Sequence, residues 1–195
     1  MPEVELPKLE ELEEMRNKSF TRRVALTTAI FAVLLAVTSL GGNNAMKEML
    51  LSQQQASDQW AFYQSKNIRE LLYKTNGLRM EAELIERGPA MGPQAKKRYE
   101  AMLKDMRAEQ TRYQDDKKKI EAEARHLEAE RDVNRSKDPY FDYAEVLLQI
   151  SIVMASIAIL SVSRQIFYFA LGCASLGTVL MLNGYFLIFR MPFFH

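Results

Sequence analysis

The side chains able to do chemistry are sparse, and their spacing is informative mainly for what it withholds. His126 has Glu123 before it and Glu130 after it at helical spacing, which puts one imidazole and two carboxylates on one face. That trio lacks the usual zinc ligand set and reads as solvated surface, so no metal is expected. The run Arg87-Gly88-Pro89-Ala90-Met91-Gly92-Pro93 carries two glycines without the Lys-Ser/Thr that a phosphate-cradling loop needs. Cys173 is the sole cysteine and lies in an apolar stretch. It can form no intrachain disulfide and behaves as a small hydrophobe. Nothing marks a nucleophile–base pair. These residues predict a protein that is not an enzyme, with no catalytic residue and no cofactor.

The elements around them explain the sparseness. The 195-residue chain balances 26 basic against 25 acidic residues, for a net charge of +1, which argues against a nucleic-acid partner. It is 48% hydrophobic with a mildly negative mean hydropathy. Both hold only if apolar residues are segregated, and they are, into three segments expected to span a membrane: 24–40, 143–162 and 166–189. In the first, Ala25, Ala29, Ala32, Ala36 and Ser39 follow a 4-3-4-3 spacing that predicts a close helix–helix face. Asp138-Pro139-Tyr140 is expected to break the chain before the second span. Ser163-Arg164-Gln165 links the second span tightly to the third. Within the third, Asn183 is costly in lipid unless partnered, and a bond across helices is the expectation, with a pore or lipid site as the rival. Tyr185, Phe186, Phe189, Phe193 and Phe194 crowd its end like an interfacial aromatic belt.

Residues 1–23 combine a short acidic amphipathic segment, with Leu6, Leu9, Leu12 and Met15 at threes, and a basic stretch of Arg16, Lys18, Arg22 and Arg23 against the first span. Basic flanks mark the cytoplasmic side, so the amino terminus is placed inside and 44–135 outside. The bias is weak, because Lys47, Arg131, Arg135, Lys137 and Arg190 lie near spans on the opposite side against those four and Arg164. The acidic residues 1–15 are a solvated helix or a docking segment for a cytoplasmic partner.

Segment 44–135 is polar and helix-forming on both sides of a turn at 87–93. Its halves, 44–86 and 93–135, are of equal length, about 65 Å each as helices. Ala61, Ile68, Thr75 and Ala82 recur every seven residues, as do Gln64, Leu71, Leu78 and Ile85. This is an a/d stripe. In the second half Tyr99, Met106, Tyr113, Ile120 and Leu127 repeat by seven, with mostly charged residues three later. An antiparallel hairpin centred on Ala90 then sets Trp60 against Ile120, Leu71 against Glu109 or Ala108, and Leu78 against Met102. Its core is thin. Trp60 and Tyr63 share one face while Phe62 points elsewhere, which predicts two sets of neighbours.

An apolar span ending near Gly41-Gly42-Asn43, followed by Ala56-Ser57-Asp58-Gln59-Trp60-Ala61-Phe62-Tyr63-Gln64 and Lys66, resembles the family called domain of unknown function 4337. The resemblance covers nearly the whole chain. It implies a bacterial inner-membrane protein and brings no catalytic residues; with the amino terminus inside, the three spans of this multi-pass chain leave the hairpin in the periplasm. The expected fold is an all-α membrane protein: three transmembrane helices with a long antiparallel, coiled-coil-like hairpin between the first and second. The expected role is a homo-oligomeric membrane scaffold, its partners being copies of itself and membrane lipid. It associates through Trp60, Phe62, Tyr63, Leu71, Leu78, Tyr99, Met106, Tyr113, Ile120 and Leu127, with Ala25, Ala29, Ala32, Ala36 and Asn183 packing the spans. A channel or lipid-handling complex, lined by Asn183, Thr178, Ser175 and Gln149, is the alternative. An accessory subunit docking through residues 1–15 is a third.

Overall fold

A computed structural model describes residues 9–189. Most of the acidic segment 1–15, including every side chain of it except Glu14, lies outside the described residues, as do Arg190, Phe193, Phe194 and His195. Among the described residues there is no strand. The chain runs as α1 (Leu9–Arg87), a 3₁₀ turn (Gly88–Ala90), α2 (Pro93–Ser161) and α3 (Arg164–Phe186). All three α-helices are long and apolar enough to cross a membrane. The contacts divide into an apolar unit, Met1–Glu48 with Val133–His195, and a polar unit, Met49–Asp132.

In the apolar unit each helix offers a narrow buried seam. On α1 it is Val24, Phe31, Thr38 and Ala45, one residue in seven. On α2 it is Phe141, Ala144, Leu148, Ser151, Ala155 and Ala158, alternating by three and four. On α3 it is Ala170, Ala174, Gly177, Met181 and Gly184. Small residues dominate because they let backbones approach, which is what packs helices that gain nothing from exchanging lipid for leucine. The buried hydroxyls are satisfied within their own helices, Thr38 to the Leu34 carbonyl at 2.8 Å and Ser151 to that of Leu147 at 2.7 Å.

Two sequence breakers do not break. Gly41 and Gly42 lie inside α1, and Pro139 lies inside α2, contrary to the expected interruption there. Tertiary packing overrides both. Tyr140 and Phe141 directly after the proline are both 2% exposed, and burial of two large rings outweighs the roughly 3 kcal/mol that an interior proline costs. The glycines form the notch that receives Phe141. A Cβ on Gly41 would stand 2.6 Å from Phe141 Cε1 and 2.7 Å from the Tyr185 hydroxyl. On Gly184 it would stand 3.0 Å from the Phe141 ring. The rings of Phe141 and Tyr185 meet edge-on at 5.0 Å, and the Tyr185 hydroxyl donates to the Val37 carbonyl at 3.0 Å.

The α2–α3 link is shorter than expected. Only Val162 and Ser163 lie between the helices, so Arg164 and Gln165 belong to the first turn of α3. Val162 takes φ 50° to make the reversal.

Candidate functional site

In the polar unit the first helix carries two heptad stripes, and they face different ways. Ser52, Gln59, Lys66, Tyr73 and Met80, with Ala56, Tyr63, Glu70, Gly77 and Leu84, are buried or half-buried. The stripe read as the intrachain seam (Ala61, Ile68, Thr75 and Ala82, with Gln64, Leu71, Leu78 and Ile85) is exposed throughout. Leu71 and Leu78 therefore do not meet the second helix, and Ile85 is 77% exposed. On α2, Tyr99, Met106, Tyr113, Ile120 and Leu127 do lie inward, as the heptads predict. Their companions are the residues four later, Leu103, Gln110, Lys117, Ala124 and Arg131, while of the set three later Glu109 and Asp116 are half-buried and Met102, Glu123 and Glu130 are exposed.

A polar interior lets an apolar stripe be left outside. Lys117 Nζ lies 2.6 Å from Glu70 Oε2, each side chain 16% exposed. It also donates to Asn67 Oδ1 at 2.7 Å and stands 5.2 Å over the Tyr63 ring. Lys66 donates to Asp116 Oδ2 at 2.8 Å and lies 5.3 Å from the centre of the Tyr113 ring, which stacks on Tyr73 at 5.6 Å. The bond from Lys66 holds the Asp116 carboxyl below its ordinary range, against a smaller opposing effect of burial. The middle of this unit is thus held by ion pairs and tyrosines, with charges partnered as burial requires.

Toward the turn, Arg107 pairs with Glu81 at 2.9 Å and Tyr99 donates to Glu83 at 3.4 Å. At the far end Trp60 Nε1 donates to Glu128 Oε1 at 3.0 Å, and Arg131 donates to Gln53 at 2.9 Å. Trp60, expected opposite Ile120, finds its partner about two helical turns further along. The turn extends to Gly92, whose carbonyl accepts from Lys96 N–H, so the pairing centres beyond Ala90, and the long Glu128 side chain reaches the rest. Trp60 and Tyr63 meet edge-on at 5.4 Å on the inner side, while Phe62 is 60% exposed.

In the apolar unit Ala25, Ala29, Ala32 and Ala36 are exposed, on the side of α1 away from its buried seam. Asn183 is buried but bonds to its own chain end, not across helices. Its Nδ2 donates to the Phe189 carbonyl and its Oδ1 accepts from Phe189 N–H, both at 2.8 Å. Tyr140 donates to the same carbonyl at 3.0 Å, and Leu187, at φ 46°, donates to the Asn183 carbonyl at 2.7 Å. Asn183 thus closes the end of α3, with both amide functions used. Thr178 is bonded to the Ala174 carbonyl and Gln149 to Glu145.

One further feature had no counterpart among the expected site residues. Arg16, Ser19, Phe20 and Arg23 on one face of α1, with Arg164, Phe167 and Tyr168 from the start of α3, line a cavity of about 320 Å³. The signal was present as basic residues flanking the spans, but which helix ends adjoin is a tertiary fact. Among the described residues no group of His, Cys, Asp and Glu could hold a metal ion. His126 lies 3.9 Å from Glu130 on the exposed surface.

A family model described as a domain of unknown function (DUF4337) matches residues 20–187. No curated protein matches, and no solved structure does.

Proposed function

The chain belongs to the DUF4337 family, whose description names no activity, and on physical grounds we propose that it is a homo-oligomeric scaffold of the bacterial inner membrane. In this reading three helices span the bilayer, the amino terminus is cytoplasmic, and the polar unit is an antiparallel, coiled-coil-like hairpin in the periplasm. The converging cross-pairs from Gln53–Arg131 to Glu83–Tyr99 support the hairpin.

One observation carries the assembly. The first helix of the polar unit presents a regular 3-4 stripe ending in Ile68, Leu71, Leu78 and Ile85, and nothing among the described residues covers it. Such a stripe is the seam of a coiled coil, and a helix with a second seam already engaged presents it to another chain. The exposed alanine face of α1 offers a matching close-approach surface within the bilayer. Function then lies in the assembly itself, with no catalytic group required.

The test uses the single native cysteine to advantage. With Cys173→Ser as background, Leu78→Cys should form interchain disulfides in membranes under mild oxidation. A Gln114→Cys control, exposed on the second helix, should form far fewer. Equal crosslinking at both positions, or none at 78, would count against the stripe as a seam.

A further inference from the structure

The cavity between the amino-terminal part of α1 and the start of α3 is lined by basic and aromatic residues. Arg16, Arg23 and Arg164 line it together, and no acidic residue is among the described residues of its lining. Among the residues whose side chains are described, none of the three arginines has an ion-pair partner, so their charge is open to an external anion. The walls are tied together by Phe20 and Phe167, edge-on at 5.9 Å. Ser163, which precedes α3, makes no side-chain cap bond, so the positive end of that helix adds to the same field.

The position is as telling as the charge. The apolar run of α1 begins at Val24, next to Arg23, and that of α3 begins at Ile166, two residues after Arg164. Leu26, Ile30 and Phe169 beyond them are exposed and apolar. The cavity thus sits at the polar–apolar boundary of two adjoining spans, the depth at which lipid phosphates lie. Arginine forks suit phosphate oxygens, and a volume of about 320 Å³ admits a headgroup but not an acyl chain as well.

We propose that this cleft binds the phosphate of an anionic phospholipid headgroup, with the acyl chains lying along the exposed apolar flanks of α1 and α3. Zwitterionic lipid would bring its own cation into a site that already holds three. A soluble phosphate shares the binding chemistry but gains nothing from the apolar flanks. The proposal rests on the membrane-spanning part of the reading above and is independent of assembly.

Native mass spectrometry of the full chain, titrated with phosphatidylglycerol, phosphatidylcholine or inorganic phosphate, tests it. Phosphatidylglycerol should be retained at least about tenfold more strongly than phosphatidylcholine, and Arg164→Gln or Arg23→Gln should weaken it about tenfold, the worth of one charge-assisted hydrogen bond. Arg22→Gln, outside the lining, should leave it unchanged, and helix content by circular dichroism should be the same in all three variants. Equal binding of the two lipids, or binding untouched by both lining variants, would overturn the proposal. Displacement of lipid by millimolar inorganic phosphate would overturn the lipid assignment in favour of a soluble anion. A Leu78→Asp chain measured in parallel lets a failure of assembly register separately from a failure of lipid binding.

Discussion

Glu70 and Lys117 show what a single pair does in this chain. Each side chain is 16% exposed, so water still reaches them, but removing one leaves the other charged and poorly solvated. Glu70→Gln should therefore lower the stability of the full chain by about 1–3 kcal/mol, less than for a fully buried pair. Replacing both with leucine should restore most of it. Thermal melts followed by helix circular dichroism decide this, and a double variant no better than Glu70→Gln would mean that the pair is not acting as a unit. The glycines make a parallel case. Gly77→Ala meets only Leu103 Cδ1 at 3.8 Å and should stabilise by about 0.5–1 kcal/mol through helix propensity. Gly41→Ala gains the same propensity but drives a methyl into Phe141 and Tyr185 and threatens the bond to the Val37 carbonyl. Overpacking costs about 1–3 kcal/mol and the lost bond about 1, so the sign reverses. A stabilised Gly41→Ala protein would contradict the notch. None of this was legible from Gly41-Gly42 alone, which suits a bend in the chain as well as a continuous helix. The reason for those glycines is a ring about 100 residues away in sequence.

At the scale of elements, periodicity revealed more than orientation. The heptads of the two long helices are plain in the sequence, and the inward set from Tyr99 to Leu127 lies as its spacing predicts. The first helix has two such stripes, and hydrophobicity favours the one that turns out to face away. The inner stripe is polar, and polar residues signal burial only when their partners are known. Lys66 and Asp116 became readable as interior groups once brought within 2.8 Å. Pro139 failed as a boundary for the same reason, because the partners that bury the rings beside it, Gly41, Gly184 and Tyr185, are distant in sequence. The Lys66–Asp116 bond also gives this element a pH dependence. Its carboxyl is held below the ordinary range in the folded chain, so its contribution is fully present above the unfolded carboxylate value. It is lost as pH falls through the lowered, folded value. Stability measured from neutral pH down to about pH 3 should fall less steeply in Asp116→Asn than in the parent. Identical slopes would remove Asp116 from the account.

For the whole molecule, the sequence already contained the all-helical class, the three apolar segments and the family resemblance. The surfaces left uncovered needed the structure. The stripe through Leu71 and Leu78 and the alanine face of α1 are exposed in a single chain, while the interior of the polar unit is held by ion pairs. The polar unit thus largely buries the Glu70–Lys117 pair while Leu71 and Leu78 stay exposed, and the proposed assembly would cover them. The mass of the intact particle decides whether the proposed assembly exists. Extracted in mild detergent and weighed by native mass spectrometry, the protein should appear as a defined multiple of the 22.5 kDa chain, and Leu71→Asp with Leu78→Asp should reduce it toward the single chain. A parent protein that weighs as one chain across dilution would contradict the account.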